Sequence, residues 1–270
     1  MSSQDRFYVH GFDYERGSPH LKHDELRSAI SGSLEASVSR SLAEIGRCRT
    51  LELGAGHGTF TGLLRQFGAE VVVTEMSSAS ASRLRQRFAR DQGVTVVHDH
   101  DGDWIFRNEQ TFDLVVCLSV LHHIPDYLRT VDRLTCLLAP GGTFASWQDP
   151  IWYPSTPRYV RVASTASYFA WRLGRGRIRR AVSTRMRRLR GVLDESRPED
   201  MTEYHVVRQG VDQQAILDLL SDRFTTAAVL TYWSTQAAPL QRLGELIGLA
   251  NTFAIEATGA LTGSGPWADT

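Results

Sequence analysis

The residues whose chemistry reads most directly are Leu51-Glu52-Leu53-Gly54-Ala55-Gly56-His57-Gly58-Thr59, with Glu75 closing the apolar run Val71-Val72-Val73-Thr74. Glycines at alternate positions between a strand and a helix let main-chain amides approach a ligand, because no Cβ intervenes. The dinucleotide pattern wants its third glycine where this chain has Thr59; the third glycine here is Gly58. Glu52, just ahead of the first glycine, would repel a pyrophosphate but suits a ligand carrying an ammonium and a sulfonium. Glu75 stands at the chain distance from which a carboxylate accepts hydrogen bonds from ribose hydroxyls. Together they point to S-adenosylmethionine rather than NAD or ATP.

Methyl transfer from a sulfonium is an in-line displacement, so positioning and exclusion of water supply most of the acceleration. A hydroxyl acceptor also benefits from a base, for which histidine is the usual choice. The candidates are His122 and His123, which follow the apolar run Phe112-Asp-Leu-Val-Val-Cys-Leu118, and Asp149 in Trp147-Gln148-Asp149-Pro150. Tyr14, His20 and Lys22 are further groups able to reach such a pocket, whereas His10 and His23 read as surface residues. The run His98-Asp99-His100-Asp101 superficially resembles a metal set, but neighbours on a strand point to opposite sides, and no metal is assigned to it.

From about Thr50 to Phe144 the chain resembles the catalytic core of the class I S-adenosylmethionine-dependent methyltransferases. Four pieces carry the resemblance in order: the glycine loop, the acidic strand end at Glu75, the acid after the next strand in Val96-Val97-His98-Asp99-His100-Asp101, and Phe112 to Asp126 leading to Leu138-Ala-Pro140-Gly141-Gly142. The resemblance implies cofactor contacts at Glu52, Gly54, Ala55, Gly56, Gly58, Glu75, Met76, Ser119 and one or both of Asp99 and Asp101. One of these aspartates would accept from the adenine amino group; strand register favours Asp99, and the distance to Phe112-Asp113 favours Asp101.

The elements that must position these groups alternate. Strands are expected at Val71–Glu75, Val94–Val97, Phe112–Cys117 and Thr143–Trp147, with helices at Ala79–Asp91 and Tyr127–Leu138. The helix after the glycine loop carries Phe60, Leu63, Leu64 and Phe67 at helical spacing and stops at Gly68. Such alternation implies right-handed crossovers and a parallel sheet. The fold class is therefore α/β, with a seven-stranded, mostly parallel sheet flanked by helices. The core resumes at Val211–Leu220 and Ala227–Trp233 and ends at Thr252–Ala257; the resemblance makes the last two strands an antiparallel hairpin. Residues 1–45 form an N-terminal cap whose helix buries Leu26, Ile30, Leu34 and Val38 on one face. The same resemblance implies that residues 46–150 and 206–258 are the catalytic domain and 151–205 a helical insertion, and the tail is expected to fray from Gly259. In the insertion Tyr159, Val162, Ala166, Phe169 and Leu173 share one helical face.

A chain of 270 residues with 42% hydrophobic residues can bury a sizeable core. No charge-free apolar run approaches a membrane span, and the polar start Met1-Ser-Ser-Gln-Asp-Arg6 is unlike a secretory signal, so the cytoplasm is the expected location. Three scattered cysteines, Cys48, Cys117 and Cys136, indicate neither a disulfide framework nor a zinc site. Net charge is zero, yet Lys22 is the only lysine and residues 151–193 hold eleven arginines and no acid, followed by five acids in 194–203. The arginines, Arg158, Arg161, Arg172, Arg175, Arg177, Arg179, Arg180, Arg185, Arg187, Arg188 and Arg190, offer a handle for an anionic group or pair with those acids. Aromatic residues interleave only at the N-terminal end of that run, unlike base-stacking modules, which argues against RNA. The expectation is methylation of a small or medium organic metabolite at oxygen. RNA or protein methylation with the arginines as docking surface, and a cyclase or scaffold that transfers no methyl group, are the alternatives.

Overall fold

The computed structural model describes residues 18–173 and 210–261. One sheet holds β1 (Arg49–Leu53), β2 (Glu70–Glu75), β3 (Val94–His98), β4 (Phe112–Leu118), β5 (Leu138–Pro150), β6 (Phe224–Tyr232) and β7 (Thr252–Ala260) in the order β3-β2-β1-β4-β5-β7-β6. Strands β1 to β5 run parallel, and β7 is antiparallel to both β5 and β6. Strand order reverses between β1 and β4, so the loops leaving them part and open a crevice at their carboxyl ends, where open α/β sheets take ligands. The helices are α1 (Pro19–Lys22), α2 (Asp24–Ile45), α3 (Thr59–Gln66), α4 (Ser78–Arg87), α5 (Trp104–Arg107), α6 (Tyr127–Cys136), α7 (Arg158–Leu173), α8 (Gln213–Ser221) and α9 (Ala238–Leu246).

The sheet has a core on each face, and the pleat of β4 feeds both. Leu114, Val116 and Leu118 pack with Ile30, Leu34 and Val38 of α2 and with Phe60 and Leu64 of α3. Val115 and Cys117 face Leu134 of α6 and Ile216 and Leu220 of α8. Burial of each such large side chain contributes about 2 kcal/mol. Helix α2 buries the face expected from its spacing and ends at Gly46, whose left-handed backbone (φ 73°) returns its N–H to the Leu42 carbonyl at 3.0 Å. The Ser33 hydroxyl donates to Glu256 of β7 at 3.0 Å, which ties α2 across the strands that carry the site.

Five expectations change. Helix α4 stops at Arg87, so the segment to Asp91 is a turn. Strand β5 extends to Pro150, which places Asp149 inside the strand rather than after it. Strand β7 runs to Ala260, because Gly259 keeps its place beside β6 with φ 73°. The last two strands are antiparallel, but α9 separates them. The first turns of the apolar face expected of α7 point outward: Tyr159 and Val162 are 67% and 68% exposed, while Val160 and Ser167 are buried. The packed side of α7 is a polar contact, in which Ser167 accepts from the Thr235 hydroxyl at 3.0 Å and Ser164 from the Asn251 amide at 3.3 Å. Hydrophobic spacing does not report such a surface.

Tyr14, His10 and the arginines from Arg175 to Arg190 lie outside the described residues. Among the described residues, no helix is long and apolar enough to cross a membrane. Cys48 and Cys117 are buried and Cys136 half-buried, and all three are free thiols.

Candidate active site

The chain leaves β1 through three left-handed glycines, Gly54 (φ 69°), Gly56 (φ 55°) and Gly58 (φ 75°). A Cβ on Gly54 would stand 2.6 Å from Val120 Cγ2, so this glycine lets the loop after β4 close onto the loop after β1. The space at Gly58 is filled differently: a Cβ there would meet Leu84 and Phe88 at 2.6 and 2.8 Å. Gly58 therefore serves the packing of α3 on α4, and close approach of a ligand falls to the loop ahead of it.

Three carboxylates stand at the carboxyl ends of β1, β2 and β3. Glu52 is buried, and its Oε2 accepts from the Thr61 hydroxyl at 2.6 Å. Glu75 is also buried; Oε2 accepts from the Gly56 N–H at 2.9 Å and Oε1 from the Ser77 N–H at 2.9 Å, joining the glycine loop to the β2–α4 turn. Burial pushes Glu52 up to about 7 and raises Glu75 as well. Neither forms an ion pair among the described residues. Asp99 is buried beside them, its N–H on the Glu75 carbonyl at 3.0 Å and its Oδ1 accepting from the Trp104 N–H at 3.1 Å. Asp101 instead pairs with Arg107 at 3.1 Å at the surface. Met76 is 42% exposed beside the loop.

The N-terminal cap closes one side. A cavity over the loop is lined by His20, Glu52, Gly54, Ala55, Phe60 and Leu118, among others. The His20 ring is 3% exposed and stacks on Phe60 at 5.9 Å between centroids. Its Nδ1 is buried without a hydrogen-bond partner among the described residues, and burial lowers its pKa to about 4. The other two cap residues depart from expectation. Lys22 turns away to donate to the Gln236 carbonyl at 2.6 Å, and His23 is buried, its Nε2 2.7 Å from the Thr235 carbonyl.

The other side of the crevice holds the histidines. After β4 the backbone turns through Ser119 (φ 57°), whose N–H donates to the Trp147 carbonyl at 2.8 Å, into a short 3-10 turn over Leu121–His123. His122 Nδ1 lies 2.7 Å from Asp149 Oδ1, which also accepts the His122 N–H at 3.1 Å. The Ser146 hydroxyl donates to Asp149 Oδ2 at 3.1 Å. Asp149 is completely buried, and the His122 side chain is 9% exposed. Burial pushes Asp149 up to about 7 and lowers His122, because neither charge is solvated. His123 is exposed, its ring 4.0 Å from that of His122.

This pairing depends on an irregularity in β5. Trp147 faces the α2 side with Ala254, and strict alternation would send Asp149 the same way. The register with β7 slips between Trp147 and Asp149, and Gln148, at φ 71°, is the extra residue. That bulge moves Asp149 to the face of Ser146, where His122 stands.

Sequence reasoning named His20, Glu52, Glu75, Asp99, His122 and Asp149, and the structure brings them to one crevice. It missed Thr61, in the first turn of α3, and Ser146, on the far side of the bulge, hydroxyls that donate to Glu52 and Asp149. It also missed Gln148, for which no local signal exists.

Residues 51–144 match a family model described as a methyltransferase domain. A demethylmenaquinone methyltransferase of Clavibacter sepedonicus is 32% identical over 106 residues, which cover 39% of this chain and 43% of that protein. A ubiquinone biosynthesis O-methyltransferase of Coxiella burnetii is 29% identical over 93 residues, 34% of this chain and 39% of the relative. The chain thus matches less than half the length of each of these curated relatives. Among solved structures, a putative sarcosine dimethylglycine methyltransferase from Galdieria sulphuraria superposes with a TM-score of 0.55 at 15% identity, covering 96% of this chain and 99% of that one. The N-methyltransferase NodS from Bradyrhizobium japonicum, in complex with S-adenosyl-L-homocysteine, gives 0.53 at 16% identity with coverage of 96% and 99%. At such identities the likeness is one of fold. With strand order, glycine loop and matched segment in agreement, residues 51–144 are similar to a methyltransferase domain, and the chain shares the fold of these solved methyltransferases.

Proposed function

We propose that the protein transfers a methyl group from S-adenosylmethionine to a hydroxyl oxygen of a small or medium-sized organic metabolite. The residues present fit that cofactor. Two buried carboxylates that form no ion pair among the described residues, Glu52 and Glu75, suit a ligand that is cationic at one end and carries ribose hydroxyls. Glu75 would hold the ribose, with lone pairs left after its two main-chain bonds. Asp99, buried beside Glu75, is the better placed of the two aspartates for the adenine amino group, since Asp101 is engaged by Arg107. His20, which lines the cavity with Glu52 and whose Nδ1 has no hydrogen-bond partner among the described residues, would face the amino-acid end. When bound, the cofactor supplies a methyl carbon made electrophilic by its sulfonium.

The observation that carries the choice of oxygen is the buried Asp149–His122 pair at the mouth of β4 and β5. A carboxylate on Nδ1 fixes the imidazole so that Nε2 takes the proton, and it stabilises the imidazolium that results. The acceptor oxygen forms its bond to the methyl carbon as the carbon–sulfur bond breaks and sulfur keeps the electron pair. The hydroxyl proton passes to His122. The O-methyltransferase among the relatives supports this choice.

The test is incubation with methyl-labelled S-adenosylmethionine and a panel of phenols, alcohols, amines, total RNA and protein. The reading expects label in a hydroxyl-bearing small molecule. Label only in RNA, in protein or on nitrogen contradicts it.

A further inference from the structure

Asp149 owes its position to Gln148, a residue with a side chain in a backbone region that L-residues enter at a cost of about 1–2 kcal/mol. A bulge of this kind ordinarily places glycine at the left-handed position. Here φ is 71°, and the side chain is 9% exposed. Three hydrogen bonds explain how it is held. The Gln148 N–H donates to the Tyr232 hydroxyl at 3.0 Å, and that hydroxyl in turn donates to Gln148 Oε1 at 3.2 Å. The Gln148 Nε2 amide donates to Ser234 Oγ at 2.6 Å. Ser234 is itself fixed, since its N–H donates to Asn251 Oδ1 at 2.8 Å and its carbonyl accepts the Asn251 amide at 2.9 Å. One tyrosine therefore grips the extra residue through both main chain and side chain, at the end of β6, far in sequence from β5.

We infer that Gln148, Tyr232 and Ser234 form a latch that positions the acid of the pair: they hold the β5 bulge, and the bulge holds Asp149 on His122. These are positioning residues, because none of them touches His122. Strained backbone persists only where its surroundings over-determine it, and here the surroundings serve one side chain, Asp149. With Tyr232 unable to bond, the Gln148 N–H and Oε1 are left buried and unpaired, and the cheapest relaxation is to slide the bulge out. Asp149 would then revert to the Trp147 face, and His122 would lose its carboxylate.

The inference rests on the reading of the pair as the base for its meaning in catalysis, but its test does not need the acceptor. Protein labelled with 15N at histidine is compared at alkaline pH, where Asp149 is ionised. In the wild type the His122 ring should be held as the Nδ1–H tautomer. Tyr232→Phe should lose that bias and give a mixed tautomer, while S-adenosylhomocysteine still binds by calorimetry, which reports an intact cofactor half. Gln148→Ala, strained and without its side-chain bonds, should lose part of the bias. Gln148→Gly, which enters the left-handed region freely and keeps the N–H bond to Tyr232, should restore it. If Tyr232→Phe does not fold, the Gln148→Ala and Gln148→Gly pair decides alone. A wild-type tautomer in Tyr232→Phe, or in Gln148→Ala, overturns the latch. Full methyl transfer by His122→Ala would refute the base reading and leave the latch standing.

Discussion

The two lips of the crevice are built on different principles. The lip from β1 to β3 uses glycines and main-chain N–H groups: Gly54 and Gly56 are left-handed without strain, and Glu75 is held by the N–H groups of Gly56 and Ser77. The lip from β4 and β5 uses side chains in strained backbone, with Ser119 and Gln148 at positive φ and Asp149 bonded to Ser146 and His122. On the proposed function, the cofactor would be met by backbone, which few substitutions disturb. The acceptor would be met by side chains whose places depend on one another. If that contrast is right, substitutions on the two lips should separate cleanly in what they damage.

The largest separation is expected from Asp149→Asn. Loss of a buried carboxylate that orients a base should lower the rate of methyl transfer by about 10²–10⁴-fold, with the dissociation constant of S-adenosylmethionine unchanged. Steady-state kinetics beside calorimetry would show it, and a weakened cofactor affinity of similar size would erase the distinction between the lips. Glu75→Ala is the mirror case. Loss of charge-assisted bonds to ribose should weaken S-adenosylmethionine by about a hundredfold, and the shift should appear in calorimetry.

Acidity provides a third handle. Burial pushes Asp149 up to about 7, so the rate should fall about tenfold per unit below that pH and Asp149→Asn should flatten the profile. The same shift has a consequence for the fold. Between the ordinary carboxylate value and about 7, the folded protein keeps a proton that the unfolded chain has released, so stability declines as pH rises across that window. Asp149→Asn should therefore reduce the loss of melting temperature from pH 5 to 8 without abolishing it, because Glu52 and Glu75 shift in the same direction. The smallest effect belongs to α7. Tyr159→Ser on its exposed face should change stability by less than about 0.5 kcal/mol, whereas Val160→Ser, on the buried one, should cost about 1–3 kcal/mol in urea unfolding.

The same contrast explains what was legible in the sequence. The first lip is local: Glu52, the glycines and Glu75 keep fixed spacings, and strand–helix alternation gives the parallel sheet that sets them at one edge. The second lip is assembled from residues far apart, such as Gln148 with Tyr232 and Ser234, and a bulge at glutamine carries no glycine to announce it. Helix α7 misleads for a related reason. Its apolar residues have helical spacing, but the contact that docks it is made by hydroxyls of Ser164 and Ser167. His23 likewise looks like a surface histidine until the Thr235 carbonyl, on the segment after β6, covers it.

The central claim is that buried carboxylates and glycine amides at the carboxyl ends of β1 and β2 select a sulfonium nucleoside over a pyrophosphate. Calorimetric titration of the purified protein with S-adenosylmethionine, S-adenosylhomocysteine and NAD tests it most directly. Saturable one-site binding of the first two and no heat with NAD is the predicted result; binding of NAD, or no binding of either sulfur nucleoside by the folded protein, would contradict it.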